Sequence, residues 1–501
     1  MVSKTVDADF LALPLASLTD AAITTAKSLG ASHVDVRVER TRTGVLSLRD
    51  AKPETQSDET IIGIGVRVIV NGAWGFASSP DLSVETAKSL ANTAVAMAKT
   101  SKPLSTELVS LANEPAYPNK SWVSSYEIDP FTVSDSERKD RLASLSSKLL
   151  ASSSVNHTSA MTMYVKEQKH YADSNGTSTT QQRVRIQTQI EAISIGEHGF
   201  ESMRTLAQPA GYGWEWMGNS IWNWDKEIDE LPSLLAEKVK APSVEPGRYD
   251  LLIHPSNLWL TIHESIGHAT ELDRAMGYEA NYAGTSFATP EKLGKLKYGS
   301  DLMNVTGDRV TEHGLSTVGW DDEGVAAQRW DIVKDGLLVG YQLDRRIAAR
   351  VNQDRSNGCA FADSPAHVPI QRMPNVSLQP NPNGPSLDEL ISSVEDGIYI
   401  LGDKSWSIDM QRYNFQFTGQ QFHRIKNGKL AGQLKDVAYQ ATTTDFWGAM
   451  KAVGGPSTYV LGGAFNCGKA QPGQVAAVSH GCPAAVFDKI NILNTVAEAG
   501  K

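Results

Sequence analysis

The chain has 501 residues, 41% of them hydrophobic and 21% charged, and a formal net charge of −10 at pH 7. This length predicts two domains, and the composition is that of a globular protein. The acidic balance argues against a nucleic-acid surface, which requires a basic stripe. Because no stretch approaches about eighteen consecutive apolar residues, we expect no membrane span.

The cysteines and the N-terminus predict a compartment. Residues 1–9 carry acidic side chains and lack an apolar segment, so they do not resemble a signal peptide. Cys359, Cys467 and Cys482 are too few, and odd in number, for a disulfide framework. We therefore expect a cytoplasmic protein in which an important cysteine serves as a ligand or a nucleophile.

The first half of the chain combines helices with alternating, strand-like runs. Asn71-Gly72 lies between two such runs and predicts a tight hairpin turn. The run over 44–49 is predicted to return as the hairpin partner of 33–40. The predicted elements are helices over 16–29, 83–98, 136–152 and 226–240, strands over 33–40, 44–49, 60–70, 74–78, 160–165, 170–173 and 183–195, and a polar excursion over 101–134. This order predicts an α+β fold with an antiparallel N-terminal sheet.

Residues 208–224 contain four of the eleven tryptophans together with several glycines. One interpretation is a patch of core or a domain interface. The other is an aromatic lid or substrate-facing loop, because glycines permit movement and indoles offer contact area.

A Pro/Gly/Ser-rich piece over 241–247 is the best domain boundary, dividing the chain into 1–240 and 247–501. A short strand over 249–254 leads into a helix, and the chain after Arg274 is mostly β-like. We predict a C-terminal domain of mostly antiparallel strands, a curved sheet or open barrel, around that one helix. The acidic run 321–323 is predicted to be a solvated turn.

The helix carries His263, Glu264 and His268 within six residues. A separation of five places the second ring ~140° around a regular helix from the first, so the two could not share a metal. A π-type bulge would bring them to one side, and Gly267 tolerates such a distortion most easily. Glu264 would then lie beside the metal as a general base.

A catalytic zinc site of this type needs a third protein ligand. Spacing alone does not choose among the candidates. Those near the motif are His254, Glu271 and Asp273, and the distant ones are Cys359, Cys467, His480 and Cys482.

Four segments together resemble the TldD/PmbA family of metallopeptidases: 263–268, the Asn-Cys-Gly-Lys loop at 466–469, 322–325, and Gln-Arg-Met at 371–373. The resemblance extends over most of the chain and is densest from about residue 246 to 490. In that family two histidines and a cysteine bind Zn²⁺, and the glutamate is the catalytic base.

The resemblance implies that His263, His268 and Cys467 are zinc ligands and that Glu264 activates a zinc-bound water. Retention of the motif implies the catalytic, TldD-like type of subunit. It also implies a homodimer, or a heterodimer with a related subunit, that cleaves extended, unfolded peptides in leader-peptide trimming or small-protein degradation. The alternative is a non-catalytic peptide-binding or scaffold subunit.

Overall fold

The computed structural model describes residues 5–196 and 199–499. Residues 1–4, at the start of the stretch that does not resemble a signal peptide, lie outside this description. The described residues contain no helix long and apolar enough to cross a membrane.

The N-terminal half is built on one long sheet. Its elements are α1 (Ala8–Leu11), α2 (Leu15–Ser28), β1 (His33–Arg49), β2 (Lys52–Val70), β3 (Ala73–Ser79), α3 (Val84–Ser101), β4 (Lys120–Val123), α4 (Asp135–Leu150), β5 (His157–Asp173), β6 (Ser178–Gly196), β7 (Gly199–Arg204) and α5 (Trp224–Lys240). The strand order is β3-β2-β1-β5-β6-β4, and β7 also pairs with β6. All pairs are antiparallel except β4–β6. Helices α2 and α3 cover one hydrophobic core on this sheet, and α4 and α5 cover a second.

The long strands correct one prediction. The hairpin between 33–40 and 44–49 is wrong, because β1 continues through both runs and turns only at Asp50 and Ala51, which have positive φ. Residues 40–43, Arg-Thr-Arg-Thr, alternate without a turn-forming residue, so the strand continues. In the same way β5 joins the two predicted strands over 160–173. The Asn71-Gly72 turn is confirmed, with φ of 51° and 75°.

The tryptophan-rich segment belongs to a hydrophobic core. Trp214, Trp216 and Trp224 are buried with α4 and α5, and the indole N–H of Trp224 donates to the Trp216 carbonyl over 2.7 Å. The core interpretation is therefore confirmed for these rings. The first two residues of the segment, Gln208 and Pro209, line the cavity described below.

The C-terminal half is a β-barrel with smaller sheets packed beside it. Its elements are β8 (Gly247–Ile253), α6 (Pro255–Ile262), α7 (Leu272–Ala275), β9 (Val305–Asp308), β10 (Arg329–Lys334), β11 (Leu337–Leu338), α8 (Arg345–Arg350), β12 (Ala360–Phe361), β13 (Ile370–Gln371), β14 (Asn375–Leu378), α9 (Leu387–Ser392), β15 (Asp396–Ile408), β16 (Asn414–Lys426), β17 (Lys429–Leu434), β18 (Val437–Thr442), α10 (Thr443–Gly448), β19 (Met450–Val453), β20 (Val460–Lys469), β21 (Gln474–Cys482), β22 (Ala485–Asn494) and α11 (Thr495–Ala499). The order β15-β8-β22-β18-β16 closes on itself through a β15–β16 pairing. Of these pairs only β8–β15 is parallel. The predicted α+β fold with a curved, mostly antiparallel C-terminal sheet is confirmed.

The acidic run at 321–323 is not a solvated turn. Gly324 has the positive φ of a turn, but Asp321, Asp322 and Glu323 are all buried. Asp321 accepts hydrogen bonds from the Glu323, Val325 and Ala360 N–H groups. Asp322 and Glu323 contact the N-terminal sheet, where Lys169 Nζ lies 2.8 Å from Asp322 Oδ2 and Arg67 Nη1 lies 3.0 Å from Glu323 Oε1. Asp322, Glu323 and the charged residues around them form what we call the junction cluster: Arg37, Glu39, Arg67, Glu167, Lys169, Asp322 and Glu323.

Candidate metal centre

The motif helix is buried on every side and ends in a π-helical turn. Helix α6 begins after His254, whose ring accepts a hydrogen bond from the Ser256 N–H. Every residue of α6 is buried. The chain then passes into a π-turn over His263–Gly267, in which the His268 N–H bonds to the His263 carbonyl. This i→i−5 bond confirms the predicted distortion. It brings the rings of His263 and His268 within 4.7 Å, centroid to centroid, at 79°.

Gly267 is required for space rather than for backbone freedom. Its φ of −52° is ordinary helical geometry, but a Cβ built there would lie 2.6 Å from the sulfur of Met373. The Gly267 carbonyl also accepts a 2.6 Å hydrogen bond from the Gln342 side chain. A larger residue would therefore push the π-turn away from its packing partners.

Cys467 reaches the two histidines from β20. Residues 466–469, expected to form a loop, belong to strand β20. The register of β20 against β21 shifts between Ala464 and Cys467, and such bulges redirect side chains. Cys467 Sγ lies 3.8 Å from His268 Nε2, and the ligand atoms of His263, His268 and Cys467 all lie within 4.8 Å of one another. Tetrahedral zinc separates two nitrogen ligands by about 3.3 Å, and nitrogen from sulfur by about 3.6 Å. The donor set therefore suits zinc, and the three ligand atoms would move closer together to bind it.

Three of the other candidate ligands, Cys359, Cys482 and Asp273, do not join this group. Cys482 Sγ contacts the Pro255 carbonyl within the core. Burial raises the pKa of both the Cys482 and Cys359 thiols, as expected for inert cysteines. Asp273 is paired with Lys469. None of these belongs to the ligand group found among the described residues.

Glu264 lies beside the ligands and is held by an arginine. Its Oε2 is 2.7 Å from Arg412 Nη1, and its side chain is 8% exposed. Burial raises the pKa of this carboxyl, but the charges of His268, His263 and Arg412 lower it by more, so the net shift is downward. The carboxylate is therefore the favoured form. No sequence pattern singled out Arg412, which lies in a turn between β15 and β16.

Burial and nearby charges also act in opposite directions on the pKa of Cys467. Burial raises the pKa of the Cys467 thiol, while the charge and hydrogen bond of His268, and the charge of Arg372, lower it by more. The net pKa lies below its usual value. A thiolate is the form in which cysteine binds zinc.

These residues line a cavity of about 380 Å³ between the two halves of the chain. The N-terminal wall comes from β6, β7 and the following segment, and the C-terminal wall from α6, β15 and β20. Arg204 of β7 forms an ion pair with Asp403 of β15, and both line the cavity. His263, Glu264, His268 and Cys467 lie along the C-terminal wall.

Family models match two parts of the chain. The PmbA/TldA metallopeptidase C-terminal domain matches residues 246–494, and PmbA/TldA metallopeptidase domain 1 matches residues 34–98. A metalloprotease of Methanocaldococcus jannaschii is 26% identical over 84% of this chain and 89% of its own length. A zinc metalloprotease TldD homolog of Saccharolobus solfataricus is 22% identical over 93% of this chain and 98% of its own length.

Solved structures share the fold. TldE from Thermococcus kodakarensis superimposes with a TM-score of 0.73 at 15% identity, covering 95% of this chain and 99% of that one. A Thermotoga maritima protein described as a candidate modulator of DNA gyrase gives 0.75 at 15% identity, covering 95% and 100%. At this identity the likeness concerns the fold alone.

The matched domains are those of a family of metallopeptidases. The chain belongs to the TldD/PmbA family.

Proposed function

We propose that this chain is a zinc-dependent peptidase in which His263, His268 and Cys467 hold the metal and Glu264 is the catalytic base. The observation that carries the proposal is the π-turn, which directs both histidines and Glu264 into one cavity with Cys467. Two imidazoles and a thiolate suit zinc, and they leave the fourth position for water or substrate.

The chain's own residues supply the proton chemistry. Zinc, when bound, supplies Lewis acidity toward the scissile carbonyl and the attacking water. Arg412 holds Oε2 of Glu264, which leaves Oε1 of Glu264 free to take a proton from the water. The water oxygen bonds to the carbonyl carbon as this proton is removed. Glu264 then gives that proton to the leaving amine nitrogen as the C–N bond breaks.

The cavity suits an extended, unfolded peptide. Among the described strands β20 pairs with β21 alone, and its residues Gly463, Ala464 and Gly468 line the cavity beside Cys467. Backbone groups on such an edge can bind a peptide as an added strand, largely without regard to its side chains. This supports leader-peptide trimming or the degradation of small unfolded proteins as the role.

The assembly we propose is a dimer, with an identical or a related TldD/PmbA-type subunit, that encloses the cavity. We place the protein in the cytoplasm, because its three cysteines are free and buried. The second candidate function is a peptide-binding or scaffold subunit without activity. Retention of Glu264 beside the ligands favours the enzyme.

Glu264→Gln separates these functions. The variant is expected to keep its zinc and to lose turnover of an unfolded peptide by about 10²–10⁴-fold, because the amide cannot accept the proton. Products are measured by mass spectrometry, and zinc by elemental analysis. The matched control is Glu215→Gln, since Glu215 is also buried but accepts hydrogen bonds from Ile128 and Gly213 in the N-terminal half. Unchanged turnover in Glu264→Gln would overturn the role of Glu264 as the base, whereas peptide binding without turnover in the wild type would favour the binding subunit.

A further inference from the structure

Each of the two candidate histidine ligands is hydrogen-bonded through its Nδ1 atom to a different buried side chain. His263 Nδ1 lies 2.7 Å from His480 Nε2, and His268 Nδ1 lies 2.8 Å from Glu271 Oε2. His480 and Glu271 are 0% and 1% exposed. They do not line the cavity, so they act on the metal only through the two ligands.

The partner of His480 decides where the protons lie. His480 Nδ1 is 2.8 Å from the Val376 carbonyl oxygen, which can only accept. In the neutral ring Nδ1 therefore carries the proton and Nε2 is the acceptor. His263 must then donate from Nδ1, and this leaves the lone pair of its Nε2 available to a metal. The successive hydrogen bonds from His263 to His480 and from His480 to the Val376 carbonyl therefore specify the Nδ1-protonated tautomer of His263.

The hydrogen bond between His268 and Glu271 specifies the same tautomer, here with a charged acceptor. Glu271 is acceptor-only as a carboxylate, so His268 donates from Nδ1 and keeps its Nε2 lone pair free. Lys469 Nζ lies 3.0 Å from Glu271 Oε1, and Arg274 Nε lies 3.4 Å from Oε2. We call the buried group around this lysine the lysine cluster: Glu271, Asp273, Arg274, Glu279 and Lys469.

We propose that His480 and Glu271 are positioning residues that hold His263 and His268 in the Nδ1-protonated tautomer with Nε2 directed at the metal. This inference rests on the proposed function for the metal, and it does not depend on peptide hydrolysis. Residues that hydrogen-bond to a metal ligand in this way change metal affinity by about 10–100-fold when they are removed. Each ring would otherwise be divided between two tautomers, and one of them cannot bind through Nε2.

The role of Glu271 is tested by comparison with Asp273, which belongs to the same cluster. Glu271 and Asp273 both contact Lys469, but of the two only Glu271 contacts His268. Zinc affinity is measured by competition with a chelator. Glu271→Ala is expected to weaken it about 10–100-fold, and Asp273→Ala by less than about threefold. Glu271→Gln should recover most of the loss, because its carbonyl oxygen still accepts. Equal losses in Glu271→Ala and Asp273→Ala would overturn the role and leave Glu271 a structural residue.

The role of His480 is tested with two variants, one that keeps a ring and one that keeps a hydrogen-bond acceptor. His480→Phe keeps a ring but removes the acceptor, and we expect about a 10-fold or greater loss of zinc affinity. His480→Gln restores an acceptor and should bind zinc more tightly than His480→Phe. The spectrum of cobalt bound in place of zinc should change in His480→Phe, since it reports ligand geometry.

The outcomes distinguish this inference from the proposed function. Variants that bind zinc as tightly as the wild type overturn the positioning role alone. A wild-type protein that binds no zinc overturns both.

Discussion

Two buried lysines lie in nearly identical surroundings. Lys169 of the junction cluster lies 2.8 Å from Asp322, 3.6 Å from Glu39 and 3.7 Å from Glu167. Lys469 of the lysine cluster lies 2.9 to 3.0 Å from three carboxylates, those of Asp273, Glu271 and Glu279. Both ammonium groups are almost fully removed from solvent.

The two clusters differ in what their carboxylates touch. In the junction cluster Glu39 and Glu167 lie on the N-terminal sheet, and Asp322 comes from the C-terminal half, so the cluster joins the two. In the lysine cluster Glu271 contacts a candidate metal ligand. Breaking a buried pair costs about 3–5 kcal/mol wherever it lies. Similar electrostatics therefore join the two halves of the chain in one place and would support the proposed metal centre in the other.

Lys469→Met should have the largest effect, because it lowers both the stability of the fold and the affinity for zinc. Three buried carboxylates lose their common cation, so we expect the free energy of unfolding to fall by about 3–5 kcal/mol. Zinc affinity should fall as well, by about 10-fold or more, since Glu271 no longer has its anchor. Urea unfolding and chelator competition measure the two quantities. A stability loss with unchanged zinc affinity would remove the distinction between the clusters.

Lys169→Met should destabilise without affecting the metal. Asp322 and Glu39 would keep Arg37 as their shared cation, so we expect the free energy of unfolding to fall by up to about 3–5 kcal/mol. Because no member of the junction cluster contacts His263, His268 or Cys467 in the described residues, zinc affinity should stay within about threefold of wild type. A large loss of zinc affinity would contradict a purely structural role for this cluster.

The last expected effect is a pH dependence at the edge of the junction cluster, and within any single pH unit it is the smallest of the three. Burial, then the charge of Glu323, raises the pKa of the Asp344 carboxyl to about 7 from its usual 3.8. Between these values the folded state binds the proton more tightly than the unfolded state. This stabilisation is complete below about pH 4 and is lost as pH rises through about 7, at up to about 1.4 kcal/mol per pH unit.

Asp344→Asn isolates that contribution. Asn keeps the cap on the Ile347 N–H but cannot ionise, so the decline in stability between about pH 4 and 7 should flatten. Urea unfolding across this pH range measures the slope. An unchanged slope in the variant would show that Asp344 does not hold the proton.

Local patterns predicted the features that depend on local geometry. The five-residue separation of His263 and His268 required one extra residue in the turn, and the π-turn supplies it. The Asn71-Gly72 hairpin and the long helices followed from turn chemistry and periodicity in the same way. The hairpin predicted at 40–44 failed because alternation alone does not mark where a strand ends.

Long-range partners were beyond such patterns. Asp322 read as solvated because its cation, Lys169, lies 153 residues earlier in the chain. Cys467 lies 199 residues after His268, and only the family resemblance distinguished it from Cys482. Arg412 and His480 owe their positions to tertiary packing around the π-turn, which no spacing in the chain encodes.

The proposed metal centre is tested most directly by the zinc content of purified protein, with wild type beside Cys467→Ala and Cys482→Ala. Both cysteines are buried, so the pair controls for loss of a buried thiol. We expect about one zinc per chain in wild type and in Cys482→Ala, and its loss in Cys467→Ala. A wild type without zinc even after zinc is supplied, or a Cys467→Ala variant that retains it as tightly, would contradict the proposed metal centre.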